Sequence, residues 1–105
     1  MIVIFGKPYL KELYTLGKCH DKHHRYQPQI VQKFINVIKL MILEENVQGL
    51  CKYGALHYEH LRGDKAGLSS VRINNQYRIE FAETKTEDSE YINICTITDL
   101  SNHYN

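Results

Sequence analysis

The sequence predicts an α+β domain in which an N-terminal strand and two helices pack on one face of a mostly antiparallel sheet. Three observations carry this. Apolar residues alternate on both arms of Val71-Arg72-Ile73-Asn74-Asn75-Gln76-Tyr77-Arg78-Ile79-Glu80-Phe81, the period of strands with one buried face. Ile30, Phe34, Ile38, Met41 and Ile42 recur instead at helical spacing. Apart from one opening strand, the helical patterns come first and the strand patterns last, the β-α-α-β-β-β-β order of a helical layer laid on a sheet.

Met1-Ile2-Val3-Ile4-Phe5 is the first strand, too short and without the basic lead-in of a signal peptide. Pro8 suits the first turn of a short helix that runs through Tyr14 and ends at Gly17. After the polar stretch 18–27, Pro28 opens the long helix. Val31 and Ile35 widen its apolar face enough to lie across a sheet, and the pattern gives out at Glu44-Glu45-Asn46. Residues 56–61 read as a short strand, with His57 a hydrogen-bonded structural histidine along it. Residues 68–74 and 76–83 form the hairpin, 83–90 an acidic loop, and 91–97 the last strand.

At 105 residues the chain holds one core, hence one domain spanning 1–105. Hydrophobic content of 43% and charged content of 24% are those of an ordinary soluble protein. No apolar run approaches the ~20 residues that span a membrane, so no membrane partner is expected. Cys19, Cys51 and Cys95 make an odd set without CxxC spacing, which favours free thiols in the cytoplasm. The net charge of +1 hides an asymmetry. Residues 1–78 carry 12 basic and 6 acidic side chains (+6), whereas residues 79–105 carry −5. Such a body can present one positive face to a nucleic acid.

The hairpin register follows from its buried faces having to coincide. Ile73 opposes Tyr77 and Val71 opposes Ile79, around a turn of Asn74-Asn75-Gln76 in which asparagine tolerates the left-handed conformation. Arg72 then stands across from Arg78 on the other face. Like charges so placed destabilise a strand pair. An anion is therefore expected between them, and phosphate is the usual partner of paired guanidinium forks. The plainer alternative is a solvated sheet face. In either case Arg78 is expected to contribute little to folding.

Cys19-His20-Asp21-Lys22-His23-His24 crowds metal-ligand types into one segment without the distant second pair that zinc sites use, so a solvated basic loop or an RNA-facing rim is expected there rather than a metal. Cys95 reads as a buried inert thiol. The GxSxG, HExxH, P-loop and dinucleotide motifs are absent, which removes support from the classes they define.

Four stretches remain: Glu59-His60-Leu61-Arg62-Gly63, Ser70-Val71-Arg72-Ile73, Tyr77-Arg78-Ile79 and the terminal His103-Tyr104. In this order they resemble the RelE/ParE superfamily of bacterial type II toxins, in particular its ribonuclease branches, the HigB-like and YoeB-like toxins. The resemblance covers about residues 28–105 and implies a RelE-like fold and a toxin that cleaves messenger RNA on the ribosome without metal or cofactor. It places Glu59 as general base, Arg72 and Arg78 as stabilisers of charge on the phosphate, and His103 as general acid. Arg62 and Lys65 would hold the RNA backbone, and Tyr104 would stack on a base or orient His103. HigB-like members carry histidine where Glu59 stands and proline in place of His60, so the base is Glu59 or His60. Their ending has Asp-Tyr before the histidine where this chain has Ser101-Asn102. Without the resemblance, Glu59 reads equally as an ion-pair partner of Arg62 or Arg72, and His103 as a tail residue.

The resemblance also implies a cognate antitoxin that covers the Arg72/Arg78 surface or displaces the C-terminal segment. ParE-type members act instead by binding DNA gyrase and would not need Glu59 and His103 beside the arginines. A nucleic-acid-binding domain without activity would be more basic than this chain.

Overall fold

A computed structural model of the chain describes residues 1–102. The elements are β1 (Ile2–Phe5), α1 (Pro8–Leu16), α2 (Pro28–Leu43), β2 (Glu59–His60), β3 (Leu68–Arg72), β4 (Tyr77–Thr84) and β5 (Ile94–Asn102). They build one five-stranded sheet of order β1-β5-β4-β3-β2. Only β1 pairs in parallel, with β5; every other pair is antiparallel.

The helices cover one face of this sheet. Pro8 begins α1 and Gly17, at φ 75°, ends it with its N–H on the Leu13 carbonyl. Ile30, Val31, Phe34, Ile38 and Met41 of α2 are buried against Tyr9, Leu10 and Leu13 of α1 and against Val71, Ile79, Phe81, Cys95, Ile97 and Leu100 of the sheet. Ile42, expected in this stripe, is exposed instead. It sits on the last turn at the margin of the stripe, on the flank of the partly buried Ile35.

The hairpin has the register its apolar pattern requires, Val71 opposite Ile79 and Arg72 opposite Arg78, with Ile73 N–H on the Tyr77 carbonyl at 3.0 Å. Its turn works differently from the expectation. No residue in it has positive φ. The Asn74 Oδ1 accepts from the N–H groups of Gln76 (2.8 Å) and Tyr77 (2.7 Å), so the side chain closes the turn.

Two other expectations need correction. The 56–61 strand shrinks to Glu59–His60, because a 3₁₀ turn at Gly54–Leu56 is capped by His57 at φ 46°. His57 is thus an exposed left-handed cap, its N–H on the Gly54 carbonyl at 3.2 Å, rather than a residue along a strand. The last strand starts at Ile94 and continues to Asn102, because β5 pairs with the whole of β4 from Thr84 to Tyr77. Asn93 instead closes the preceding loop by bonding the Thr86 N–H (2.9 Å) and hydroxyl (3.0 Å). The register shifts at Glu80/Phe81, where Glu80 opposes Asp99 and Phe81 opposes Ile97, leaving Thr98 as the extra residue. No helix among the described residues is long and apolar enough to cross a membrane.

Candidate functional site

Residues directly opposite in a ladder share a sheet face, and so do residues two apart along a strand. Val71 and Ile79 point into the core. Their neighbours therefore build the face turned away from the helices. One cross-strand row there is Glu59, Ser70 and Glu80; the next is Arg72, Arg78 and Ser101. Three of the four catalytic candidates, Glu59, Arg72 and Arg78, thus stand on one face, in adjacent rows of three neighbouring strands.

Glu80 lies at the middle of this face and is only 2% exposed. Its Oε2 accepts from Lys65 Nζ at 2.7 Å, Arg78 Nε at 2.9 Å and Ser101 Oγ at 2.7 Å. Burial alone would push its pKa up, but the bonds from Lys65, Ser101 and Arg78 outweigh it and hold the carboxyl below its ordinary value. Lys65 reaches Glu80 from a 3₁₀ turn, Gly63–Lys65, that Gly63 opens at φ 66°. A lysine expected to hold RNA is therefore also a partner of an internal carboxylate.

Arg72, Glu59 and Arg62 make no ion pair among the described residues. The pairing of Glu59 with Arg62 or Arg72 that the sequence left open is not formed. His60 belongs to the reverse face, opposite Ser69. Its Nδ1 lies 3.0 Å from Ser69 Oγ and 3.7 Å from Glu83 Oε1, with its ring edge-on to Tyr58. Alternation along β2 separates Glu59 from His60 and leaves only Glu59 beside the arginines.

Glu80 and Ser101 were not among the sequence candidates. The signal for Glu80 was present: it follows Arg78 by two, so the period that set the arginines face to face also set Glu80 beside them. Ser101 required the full length of β5, which its polar residues 98–102 obscure.

His103 and Tyr104 lie outside the described residues. The strand that leads to them is pinned near its end. Tyr9 donates its hydroxyl to the Asp99 carboxylate and accepts the Leu100 N–H at 3.3 Å, while the Tyr26 hydroxyl donates to the Leu100 carbonyl at 2.7 Å. Burial first, and then the Asp99 carboxylate, push ionisation of both phenols up. The histidine-rich segment braces the same region. His24 stacks on Tyr9 with ring centroids 3.7 Å apart, bonds Asp21 at 2.9 Å, and accepts on its carbonyl from Cys19 Sγ at 3.1 Å. Among the described residues, no three His, Cys, Asp or Glu side chains converge as a metal site.

An exposed carboxylate beside two guanidinium groups can take a proton and stabilise charge on a phosphate. The scaffold that carries them is that of the RelE-like toxins. A YoeB/ParE toxin from Agrobacterium tumefaciens superposes with TM-score 0.60 at 17% identity, over 99% of this chain and 100% of that one. The chain of a YoeB-YefM complex from Staphylococcus aureus superposes with TM-score 0.51 at 18% identity, over 99% of this chain and 98% of that one. No curated protein sequence matches this chain. Residues 4–95 match the family model of the RelE-like toxin of the type II toxin–antitoxin system HigB, and the chain belongs to this HigB-like toxin family. The matched stretch holds Glu59, Arg62, Lys65, Arg72, Arg78 and Glu80 and ends before Ser101 and His103.

Proposed function

We propose that this toxin is an endoribonuclease that cuts messenger RNA on the ribosome and so arrests translation. The observation that carries the reading is the placement of Glu59, Arg72 and Arg78 on one open sheet face. Glu59, exposed and without a counter-ion among the described residues, takes the proton of an RNA 2′-hydroxyl. The freed oxygen attacks the adjacent phosphorus, and the bond to the 5′ oxygen of the next nucleotide breaks. The products are a 2′,3′-cyclic phosphate and a 5′-hydroxyl. Arg78 and Arg72 stabilise charge on the phosphorane oxygens. The leaving oxygen takes a proton from His103, a role that rests on the family resemblance. Arg62 and Lys65 attract the backbone and Tyr104 stacks on a base. The reaction needs no cofactor.

A cognate antitoxin is the expected protein partner; the similar Staphylococcus aureus structure is itself a YoeB-YefM complex. The action belongs in the cytoplasm, where translation takes place. The test is primer extension on a reporter mRNA after brief induction, with the double variant Glu59→Ala/His103→Ala as control. Cuts inside the translated region that vanish in the control are expected. Growth arrest with intact mRNA would replace this reading with action on DNA gyrase or another protein.

A further inference from the structure

We propose that Glu80 is a positioning residue: it fixes the Arg78 guanidinium for the phosphate and at the same time limits the positive charge of the face. The proposal rests on the RNA-cleavage reading and adds to it a residue that this reading does not use.

Arginine offers five N–H donors in one plane. Glu80 engages the donor on Nε, at 2.9 Å, and leaves the two terminal nitrogens for a bidentate contact with phosphate oxygens. A planar group held at one nitrogen by a fixed acceptor loses much of its freedom to swing. Glu80 is such an acceptor, because it is buried and the same oxygen is held by Lys65 and by Ser101. Ser101 belongs to the neighbouring strand β5, so the arrangement ties three segments of chain together. Arg72, across the ladder, has no such anchor among the described residues.

The carboxylate also has an electrostatic effect. It offsets one of the three cations Lys65, Arg72 and Arg78 at the place where a phosphate would bind. The nearest other carboxylate in its row, Asp99, bonds Tyr9 instead. Glu80 therefore weakens backbone attraction while sharpening alignment. These two effects separate experimentally, because glutamine removes the charge and keeps the length, whereas aspartate keeps the charge and loses the reach.

The experiment measures single-turnover cleavage of ribosome-bound mRNA by the intact toxin, by Glu80→Gln and by Glu80→Asp. The folded fraction of each is checked by circular dichroism. Binding of a non-cleavable 2′-O-methyl RNA oligonucleotide is followed by fluorescence anisotropy. The saturating rate should fall roughly 10- to 100-fold in both variants, the scale of a misaligned catalytic group. Only Glu80→Gln should bind the oligonucleotide more tightly, with a lower half-saturating concentration. Nitrogen-15 spectra should show the Arg78 Nε–H slow to exchange in the wild type and fast in Glu80→Gln. Cleavage that is unchanged or faster in Glu80→Gln would overturn the proposal; a faster rate would mean that Glu80 competes with phosphate for Arg78. A loss of rate that only tracks the folded fraction, with oligonucleotide affinity unaltered, would reduce Glu80 to a structural group and overturn it equally. A wild type that leaves mRNA whole sinks the cleavage reading itself, and a wild type that cuts no faster than Glu80→Gln sinks this proposal alone.

Discussion

Arg72 and Arg78 stand directly opposite each other across the β3–β4 ladder, yet among the described residues only Arg78 has a counter-charge, the carboxylate of Glu80 at 2.9 Å. The repulsion expected between facing like charges is therefore relieved on one side only. Arg78 is built into the sheet, with its side chain 19% exposed, while Arg72 has no ion pair among the described residues.

This asymmetry makes the two arginines differ in stability and agree in activity. Arg78→Ala removes a charged donor from a buried carboxylate and should cost about 1.5–3 kcal/mol. The sequence, read alone, treated Arg78 as dispensable for folding. Arg72→Ala should stay within about 0.5 kcal/mol of the wild type, or gain slightly from lost repulsion. Urea unfolding followed by circular dichroism separates the two. In primer extension both should lose the cuts.

The choice between Glu59 and His60 as general base also has a sharp outcome. Alternation along β2 puts Glu59 on the arginine face and His60 opposite Ser69 on the other. Glu59→Gln should slow cleavage by roughly 10²- to 10⁴-fold, the usual worth of a general base. His60→Gln should cut at nearly the wild-type rate. The reverse pattern in single-turnover assays would move the site to the other face.

Acid should expose the Glu80 cluster. Its folded pKa is depressed below the ordinary 4.5, since the Lys65, Ser101 and Arg78 bonds outweigh the effect of burial. A depressed carboxyl contributes stability that is complete above the unfolded pKa and is lost as pH falls through the folded one. Wild-type stability should therefore drop as pH falls below about 4.5. The Glu80→Gln protein should show a shallower acid limb in unfolding midpoints between neutral pH and pH 3. Parallel limbs would mean that Glu80 is not the group being titrated.

Cys51 and Cys95 should differ in reactivity. Burial, and then the charge of Glu83, push the Cys95 thiol up to about 12, whereas Cys51 is exposed. Iodoacetamide at neutral pH should label Cys51 readily and leave Cys95 untouched until denaturant is added. Peptide mass mapping would read this directly.

What the sequence showed and hid follows from how far each signal reaches. Val71, Ile79 and Phe81 announce the hairpin and its register because burial on one face forces a period of two. The same logic brought Arg72 and Arg78 together. It did not bring in Glu80, because an acidic residue two positions on looks like solvent-facing charge until Lys65 and Ser101 arrive from other segments. The end of β5 was hidden because Thr98, Asp99, Ser101 and Asn102 lack apolar alternation, and a bulge at Thr98 shifts their register. The Asn74 turn and the left-handed His57 are local backbone choices that residue type narrows without deciding.

The last prediction concerns that end of β5. The Tyr9 hydroxyl serves two partners, donating to the half-buried Asp99 carboxylate and accepting from the buried Leu100 N–H, and Tyr26 serves one, donating to the Leu100 carbonyl. Tyr9→Phe leaves a carboxylate and a buried N–H short of a partner, so it should cost about 2–4 kcal/mol. Tyr26→Phe removes one donor from a carbonyl that keeps a second lone pair, and should cost about 1 kcal/mol. Leu100 precedes His103 by three residues, so loosening it should also blunt any proton transfer from the terminus. Cleavage by Tyr9→Phe, measured where it remains folded, should fall roughly tenfold. Its affinity for 2′-O-methyl RNA should hold, because Tyr9 bonds neither Arg72 nor Arg78. A variant that loses binding and rate together would show that Tyr9 supports the arginine face rather than the strand end.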